Sequence, residues 1–313
     1  MKTQTYRDFD AFADTVGDID ATMMLQNPRN RLWLIEQTKV AGAHLQRGRL
    51  GSGNIVEGKW RSDGYGVYLP LSDRREYLCN GRPIDTQSFM VLDPGSEFCI
   101  STAEPHDWCT ISVQASQMPT SGHEDGGSTS VRQPKCRASR PHPAVARRFY
   151  AIVDAIMTAS AASEAFEGSP AARDAASAAA RLVSAIVGET APEPSSGTNG
   201  RPVAPRREIL DRCQELLEND QLAQIRVCDL VAASGVSART LDTAFREFFG
   251  TSPRRYVLLR RLQAVRQALL SADPDADTVT EVLFSHGEWE LGRFASRYRQ
   301  LYGEFPSETL QHS

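Results

Sequence analysis

Two short segments of the chain carry side chains suited to a phosphate or the edge of a base. In the first, Ser237, Arg239, Thr240, Asp242, Thr243 and Arg246 take the outward positions of a helical period whose inward positions are Leu241, Phe245 and Phe248 or Phe249. In the second, Gly292, Arg293, Ser296, Arg297 and Arg299 lie outside an inward row of Phe294, Tyr298 and Leu301. A guanidinium makes two parallel hydrogen bonds to the O6 and N7 atoms of guanine, a carboxylate accepts from the amino group of cytosine, and hydroxyls serve either purpose. Arg239, Arg293 and Arg297 are the base-edge candidates; Arg293 and Arg297, four apart, share one helix face. Asp242 suits a cytosine amino group or is an exposed helical acid. Arg246, Arg254, Arg255 and Arg299 suit phosphates, or form a solvated face.

The elements that must position these residues form a repeat. Val227, Leu230, Gly235, Leu241, Phe245, Gly250 and Pro253 match Val279, Val282, Gly287, Phe294, Tyr298, Gly303 and Pro306. The offset is 52 residues up to the first glycine and 53 after it, so one residue is inserted in the second turn. Each unit, 226–250 and 278–303, reads as a short apolar helix, a turn glycine and a longer helix with a buried stripe, the layout of a helix-turn-helix. Ser237 is placed to cap the second helix of the first unit. Between the units, Ser252-Pro253 reads as a helix start, and Tyr256, Leu259, Leu262, Val265 and Leu269 carry a helical period to Asp273-Pro274. A helix from Pro253 to about Ser271 is roughly 27 Å long. Major-groove faces on one side of a duplex lie about 34 Å apart, so a rigid connector of this length suits a reader of two adjacent grooves.

The composition first argues otherwise. The 313 residues carry a formal net charge of −4, with 41% hydrophobic and 24% charged residues, and affinity for phosphate needs clustered cations. The cations are, however, clustered. From Ser237 to Arg266, arginines 239, 246, 254, 255, 260, 261 and 266 stand against only Asp242 and Glu247, and Leu291–Gln300 holds three arginines and no acid. Lysine is confined to positions 2, 39, 59 and 135. No apolar run is long enough to span a membrane and the first residues lack the apolar middle of a signal peptide, so the expected location is the cytoplasm.

The remaining two thirds read as a different kind of structure. Residues 115–143 and 190–205 are rich in Gly, Ser, Thr and Pro, and predict a long mobile loop and a linker. Before them, short apolar runs (Leu32–Glu36, Asn54–Trp60, Tyr65–Leu71, Tyr77–Cys79, Phe89–Leu92, Phe98–Ser101 and Trp108–Val113) alternate with turn signals such as Asn80-Gly81 and Asp93-Pro94-Gly95. This spacing predicts a small antiparallel barrel or jelly roll over residues 1–114. Pro143–Phe166 and Pro170–Val187 are Ala-rich with Phe149, Ile152, Ile156, Leu182, Val183 and Ile186 at helical spacing, and predict a helix pair.

In the strand region Trp60, Tyr68, Tyr77 and Trp108 are candidates for an effector pocket, with core packing as the alternative role for each. Only His44 and His106 fall among the strands, without a His-x-His pair, so no metal site and no catalytic residue are assigned. The six cysteines form no Cys-x-x-Cys pair and read as buried or loop thiols rather than a zinc site or disulfide framework. No cofactor is expected.

Residues 207–310 resemble the DNA-binding domain of the AraC/XylS family of bacterial transcription regulators. The resemblance is strongest in the run Leu291-Gly-Arg-Phe-Ala-Ser-Arg-Tyr-Arg-Gln-Leu-Tyr-Gly-Glu-Phe-Pro-Ser-Glu-Thr-Leu310. It implies a two-lobed helical domain that binds promoter DNA through both recognition helices, often as a dimer. It also implies a β-rich sensor followed by a helical dimerisation segment. Two residues depart from the family pattern: Glu288 stands where an apolar Phe is common and Leu283 where a small Ala is common. Glu288 is therefore expected to point outward, with Trp289 taking the core position, since burying an unpaired carboxylate costs several kcal/mol.

The expectation is an α+β, multidomain chain. A β-rich, cupin-like barrel or jelly-roll sensor spans 1–114, a loop 115–143, a helical dimerisation segment 144–189, a linker 190–205 and an all-α double helix-turn-helix domain 206–313. The expected partners are double-stranded DNA at a promoter or operator, RNA polymerase, a small-molecule effector of unknown identity and a second copy of the chain. A ligand-independent regulator with a protein-binding N-terminal domain is the alternative; a metal-dependent barrel enzyme fused to a DNA-binding domain is a third.

Overall fold

The computed structural model describes residues 1–60, 63–72, 77–118, 135–188, 204–217 and 225–311. The chain divides into two units, residues 1–23 with 28–193 and residues 24–27 with 194–313. Residues 119–134 of the expected loop and 190–203 of the expected linker lie outside the described residues.

The strands are β1 (Lys2–Tyr6), β2 (Ile19–Gln26), β3 (Trp33–Val40), β4 (Ala43–Leu50), β5 (Gly53–Trp60), β6 (Gly64–Pro70), β7 (Tyr77–Cys79), β8 (Arg82–Ile84), β9 (Phe89–Leu92), β10 (Glu97–Thr102), β11 (His106–Gln114) and β12 (Cys136–Ser139). A short helix, α1 (Phe9–Ala13), follows β1. Seven strands form one sheet in the order β1-β3-β4-β11-β6-β9-β12 and five form another in the order β2-β5-β10-β7-β8. Neither order returns to its first strand, so the fold is two open sheets and the closed-barrel form of the expectation is corrected. The expectation of an unstructured 115–143 is also corrected at its end. Arg137–Ser139 continues a ladder that begins with Cys136 opposite Leu92, and Arg137 adds an ion pair of 2.7 Å to Asp93.

Turn chemistry sets the register of these ladders. Asn80 and Gly81 take φ of 48° and 76°, closing β7 on β8 with Cys79 opposite Arg82. Two positive φ values are what a two-residue hairpin with the right-handed strand twist demands. Ala41-Gly42 does the same between β3 and β4, at 44° and 84°. Elsewhere glycine provides room. Gly48 lies opposite Trp108 on the β4–β11 ladder, and a Cβ there would sit 2.4 Å from the indole ring. Gly48→Val is therefore expected to lower unfolding stability by about 1–3 kcal/mol, the usual cost of overpacking. Urea unfolding checks this, and a midpoint equal to that of the parent would contradict it.

Helices α2 (Pro143–Ala162) and α3 (Pro170–Gly188) lay their apolar stripes on the seven-stranded sheet. Phe149, Val153, Ile156, Val183 and Ile186 meet Val67, Val91, Ile111 and Val113 in one buried cluster, each large side chain contributing about 1.5–3 kcal/mol. Ala172, Ala176 and Ala179 are also buried, and their small side chains allow close packing. The stripe is thus consumed inside the unit, and a contact with a second copy would use the outer faces of these helices.

The second unit is helical: α4 (Ala204–Leu217), α5 (Val227–Ser234), α6 (Ala238–Phe249), α7 (Pro253–Ser271), α8 (Val279–Ser285), α9 (Leu291–Tyr302) and α10 (Pro306–Gln311). Ser252 caps α7 by accepting from the Arg255 N–H, and Pro253 occupies the first turn, where a missing N–H is harmless. No helix among the described residues is long and apolar enough to cross a membrane.

Candidate nucleic-acid interface

The first unit is built around Gly235, which ends α5 in the left-handed conformation at φ 68°. Three residues later α6 begins, capped by the Ser237 hydroxyl, which accepts from the Thr240 N–H at 3.2 Å. Leu241, Ala244, Phe245 and Phe249 are buried beneath it, and Phe245 and Phe249 pack against Tyr256 of α7. This fixes which face looks out. Arg239, Thr240, Thr243 and Arg246 are exposed and Asp242 is half-buried. Asp242 is held by Arg246 at 2.8 Å, and the Thr243 hydroxyl donates to the Arg239 carbonyl at 3.0 Å. Arg239 thus stands exposed at the N-terminal end of the helix, while Asp242 and Arg246 satisfy each other.

The second unit repeats the plan with a longer turn. Thr278 and Glu281 form a reciprocal cap on α8, each side chain accepting from the other's backbone N–H. Gly287 has φ 66°, and three residues lie between it and the start of α9, one more than the two between Gly235 and α6. Phe294, Tyr298, Leu301 and Tyr302 are buried. Gly292, Arg293, Ser296 and Arg299 are exposed and Arg297 is half-buried. The Ser296 hydroxyl donates back to the Gly292 carbonyl, Arg293 pairs with Glu290 at 3.0 Å, and Arg299 lies over the Phe305 ring. An exposed pair of this kind is worth little, so it holds Arg293 loosely.

The expected exchange of Glu288 and Trp289 is reversed. Trp289 is 72% exposed and stacks on Phe284 at 4.7 Å, whereas the Glu288 side chain is only 15% exposed. The reason is tertiary. Arg261 of α7 brings its guanidinium to 3.5 Å from the carboxylate, and Leu283 is buried in the core of this lobe. Burial still raises the Glu288 carboxyl above its ordinary range, against the pull of Arg261 and Arg297.

The cation cluster is smaller than the sequence count. Arg266 is 3% exposed and donates from one nitrogen to Tyr298 Oη, Glu304 and Thr309, so it belongs to the interior. Arg261 is half-buried and engaged by Glu288 and the Ile225 carbonyl. Of the backbone candidates, Arg254 is exposed and Arg255 half-buried, both in the first turn of α7. This connector has 19 residues and spans about 27 Å from its first to its last at 1.5 Å per residue.

In the β-rich unit, Trp60, Tyr68 and Trp108 line a cavity of about 50 Å³ together with Gln46, Asn54 and His106. Tyr77 does not line it. Its hydroxyl donates to the Asp107 carbonyl at 3.0 Å, and its ring stands edge-on to His106. Sequence reasoning missed His106, which burial drives to a pKa of about 4 and so holds neutral. No acidic side chain, lysine or arginine lines the cavity. Cys109 is pushed up to about 12 by burial, and Cys79 is pushed well up by contact with the Cys136 sulfur and by burial, so both are inert thiols. Among the described residues no cluster of three His, Cys, Asp or Glu side chains could hold a metal ion.

Residues 230–312 match the model of a helix-turn-helix domain family. The XylDLEGF operon transcriptional activator 2 of Pseudomonas putida is 35% identical over 100 residues, 32% of this chain and 64% of that protein. The probable thc operon regulatory protein of Rhodococcus erythropolis is 37% identical over 97 residues, 31% of this chain and 29% of that one. The chain therefore matches less than two thirds of the length of either relative. Among solved structures, a probable AraC family transcriptional regulator from Rhodopseudomonas palustris CGA009 is 35% identical, with 33% of this chain and 95% of that one covered and a TM-score of 0.30.

Proposed function

Because the chain belongs to the AraC/XylS family of transcription regulators, we propose that it reads two adjacent major-groove segments of a promoter with α6 and α9. The observation that carries this reading is the repeat itself. Two helix-turn-helix units, each with an exposed arginine near the N-terminal end of its second helix, are joined by the single helix α7. Arg239, Arg293 and Arg297 take the base-edge role and Arg254, Arg255 and Arg299 the phosphate role. Activation is the favoured output, from the activator among the similar proteins, with RNA polymerase as the partner, in the cytoplasm and as a homodimer.

The experiment is selection of duplexes from a random pool by the full chain. Two half-sites about one helical turn apart are expected, and a single half-site would contradict the reading. Trp289 offers an independent signal. The other three tryptophans, Trp33, Trp60 and Trp108, are buried, and α9 starts two residues after Trp289. Binding of a selected duplex is expected to protect the emission from iodide quenching, with the protection lost in Trp289→Phe. Unchanged quenching on binding would mean that the second unit stays off the DNA.

For the β-rich unit we propose control by a small uncharged molecule seated among Trp60, Tyr68 and Trp108. An ion would be left without a partner in a lining that holds no charged group. A protein-binding sensor is the second reading, favoured by a volume of about 50 Å³, well below the roughly 300–1,000 Å³ of ordinary ligand sites. A rise in melting temperature with phenol, toluene or indole, absent with benzoate, supports the first; no shift with any of them supports the second.

A further inference from the structure

The departure at Glu288 reaches across the helical unit. Its backbone N–H donates to the Leu283 carbonyl at 2.9 Å, which fixes the turn. Its carboxylate lies 3.5 Å from Nη1 of Arg261, midway along α7. The other terminal nitrogen, Nη2, donates to the Ile225 carbonyl at 2.6 Å. Ile225 directly precedes Arg226, the residue that caps α5. One guanidinium thus grips the entry of the first helix-turn-helix with one nitrogen and the turn of the second with the other. The two charged side chains are 24% and 15% exposed, so water competes weakly for either bond.

We propose that the bridge from Glu288 through Arg261 to Ile225 sets the position of one helix-turn-helix relative to the other, and so the spacing between the two DNA segments the chain accepts. This rests on the reading that α6 and α9 both enter DNA. Arginine is suited to the task because its planar fork fixes two donor directions at once, which the point charge of lysine does not. The pair is not retained for stability. Burial raises the Glu288 carboxyl more than Arg261 and Arg297 lower it, and Glu290 adds to the rise. Replacing such a pair as a whole by apolar side chains is often neutral or better for stability, although removing one member alone leaves the other uncompensated. What apolar side chains lose is the directional link between the lobes.

The test uses a duplex selected from a random pool by the full chain, and versions with one base pair added or removed between the half-sites. Each such change turns one segment by about 35° relative to the other. The wild type is expected to lose affinity about tenfold or more, a penalty within the range of a disrupted base contact. Glu288→Leu is expected to lose about threefold or less, with a melting temperature somewhat below that of the wild type, because Arg261 loses its charge partner but keeps the Ile225 carbonyl. Arg261→Lys, which keeps the charge but does not span both partners, is expected to be equally tolerant of spacing. The double variant is expected to be no more tolerant than either single one, since the residues act as one unit. A wild-type spacing penalty in both single variants overturns the proposal and leaves two-groove reading intact. Selection of a single half-site by the wild type overturns both.

Discussion

Arg266→Ala is expected to lower the unfolding free energy of the helical unit by about 2–4 kcal/mol. Removing one member of a buried pair leaves the other uncompensated, a loss of about 3–5 kcal/mol when both are enclosed. Glu304 is 30% exposed and keeps some hydration, which reduces the figure. The loss is nevertheless spread over several contacts. Arg266 donates to Glu304 at 2.7 Å and to Tyr298 Oη at 3.1 Å, and its guanidinium lies 4.5 Å from the centre of the Tyr302 ring. Tyr298 and Tyr302 belong to α9 and Thr309 to α10, so the damage falls on the second lobe. Urea unfolding of the full chain is expected to show an early transition, and protection of the second half-site should vanish while the first remains. A shift below about 1 kcal/mol would contradict the interior role assigned to this arginine.

The second expected result separates two kinds of arginine. Arg293→Ala should lose discrimination at one or two base pairs, about 1–3 kcal/mol each, with little change on other sequences. Arg254→Ala should weaken every sequence alike and reduce the salt slope by about one. Arg293 is exposed on the first turn of α9 and tied only to Glu290, three residues away. Arg254 projects from the first turn of α7, outside both reading helices. Competition binding across single-base variants of a selected duplex, at several salt concentrations, measures both. Identical behaviour of the two variants would refute the division of roles.

Much of this architecture is legible in the sequence because it is governed by local rules. The inserted residue in the second turn, the cap at Ser237, the helix from Pro253 to Ser271 and the Asn80-Gly81 hairpin each depend on neighbours within one or two turns. The Ala41-Gly42 hairpin was hidden because alanine disfavours positive φ, so the pair carries no turn signature. β12 was hidden because Cys136–Ser139 is only four residues long and its two apolar residues, Cys136 and Ala138, are small; it is held at the sheet edge by its ladder to β9 and by Arg137 with Asp93. Tyr77 shows the same limit in the candidate pocket. Its aromatic character suggested a lining role, but its hydroxyl is bound to a distant carbonyl, at Asp107.

Glu288 and Trp289 are the instructive failure. Hydrophobicity alone places the indole inside and the carboxylate outside. Arg261, 27 residues earlier in the chain, reverses that order because a guanidinium in the connector supplies the partner that a half-buried carboxylate needs. Arg266 carries the same lesson for charge. Counting arginines locates a basic region, but burial decides which of them meet the solvent, and the surface available to DNA is correspondingly smaller than the count.

The central claim is that both reading helices engage DNA at once. Hydroxyl-radical footprinting of the full chain on a selected duplex tests it most directly, with Arg239→Ala and Arg293→Ala alongside. Two protected segments about 10 base pairs apart on one face are expected, with Arg239→Ala weakening one and Arg293→Ala the other. A single protected segment, indifferent to Arg293→Ala, would contradict the account.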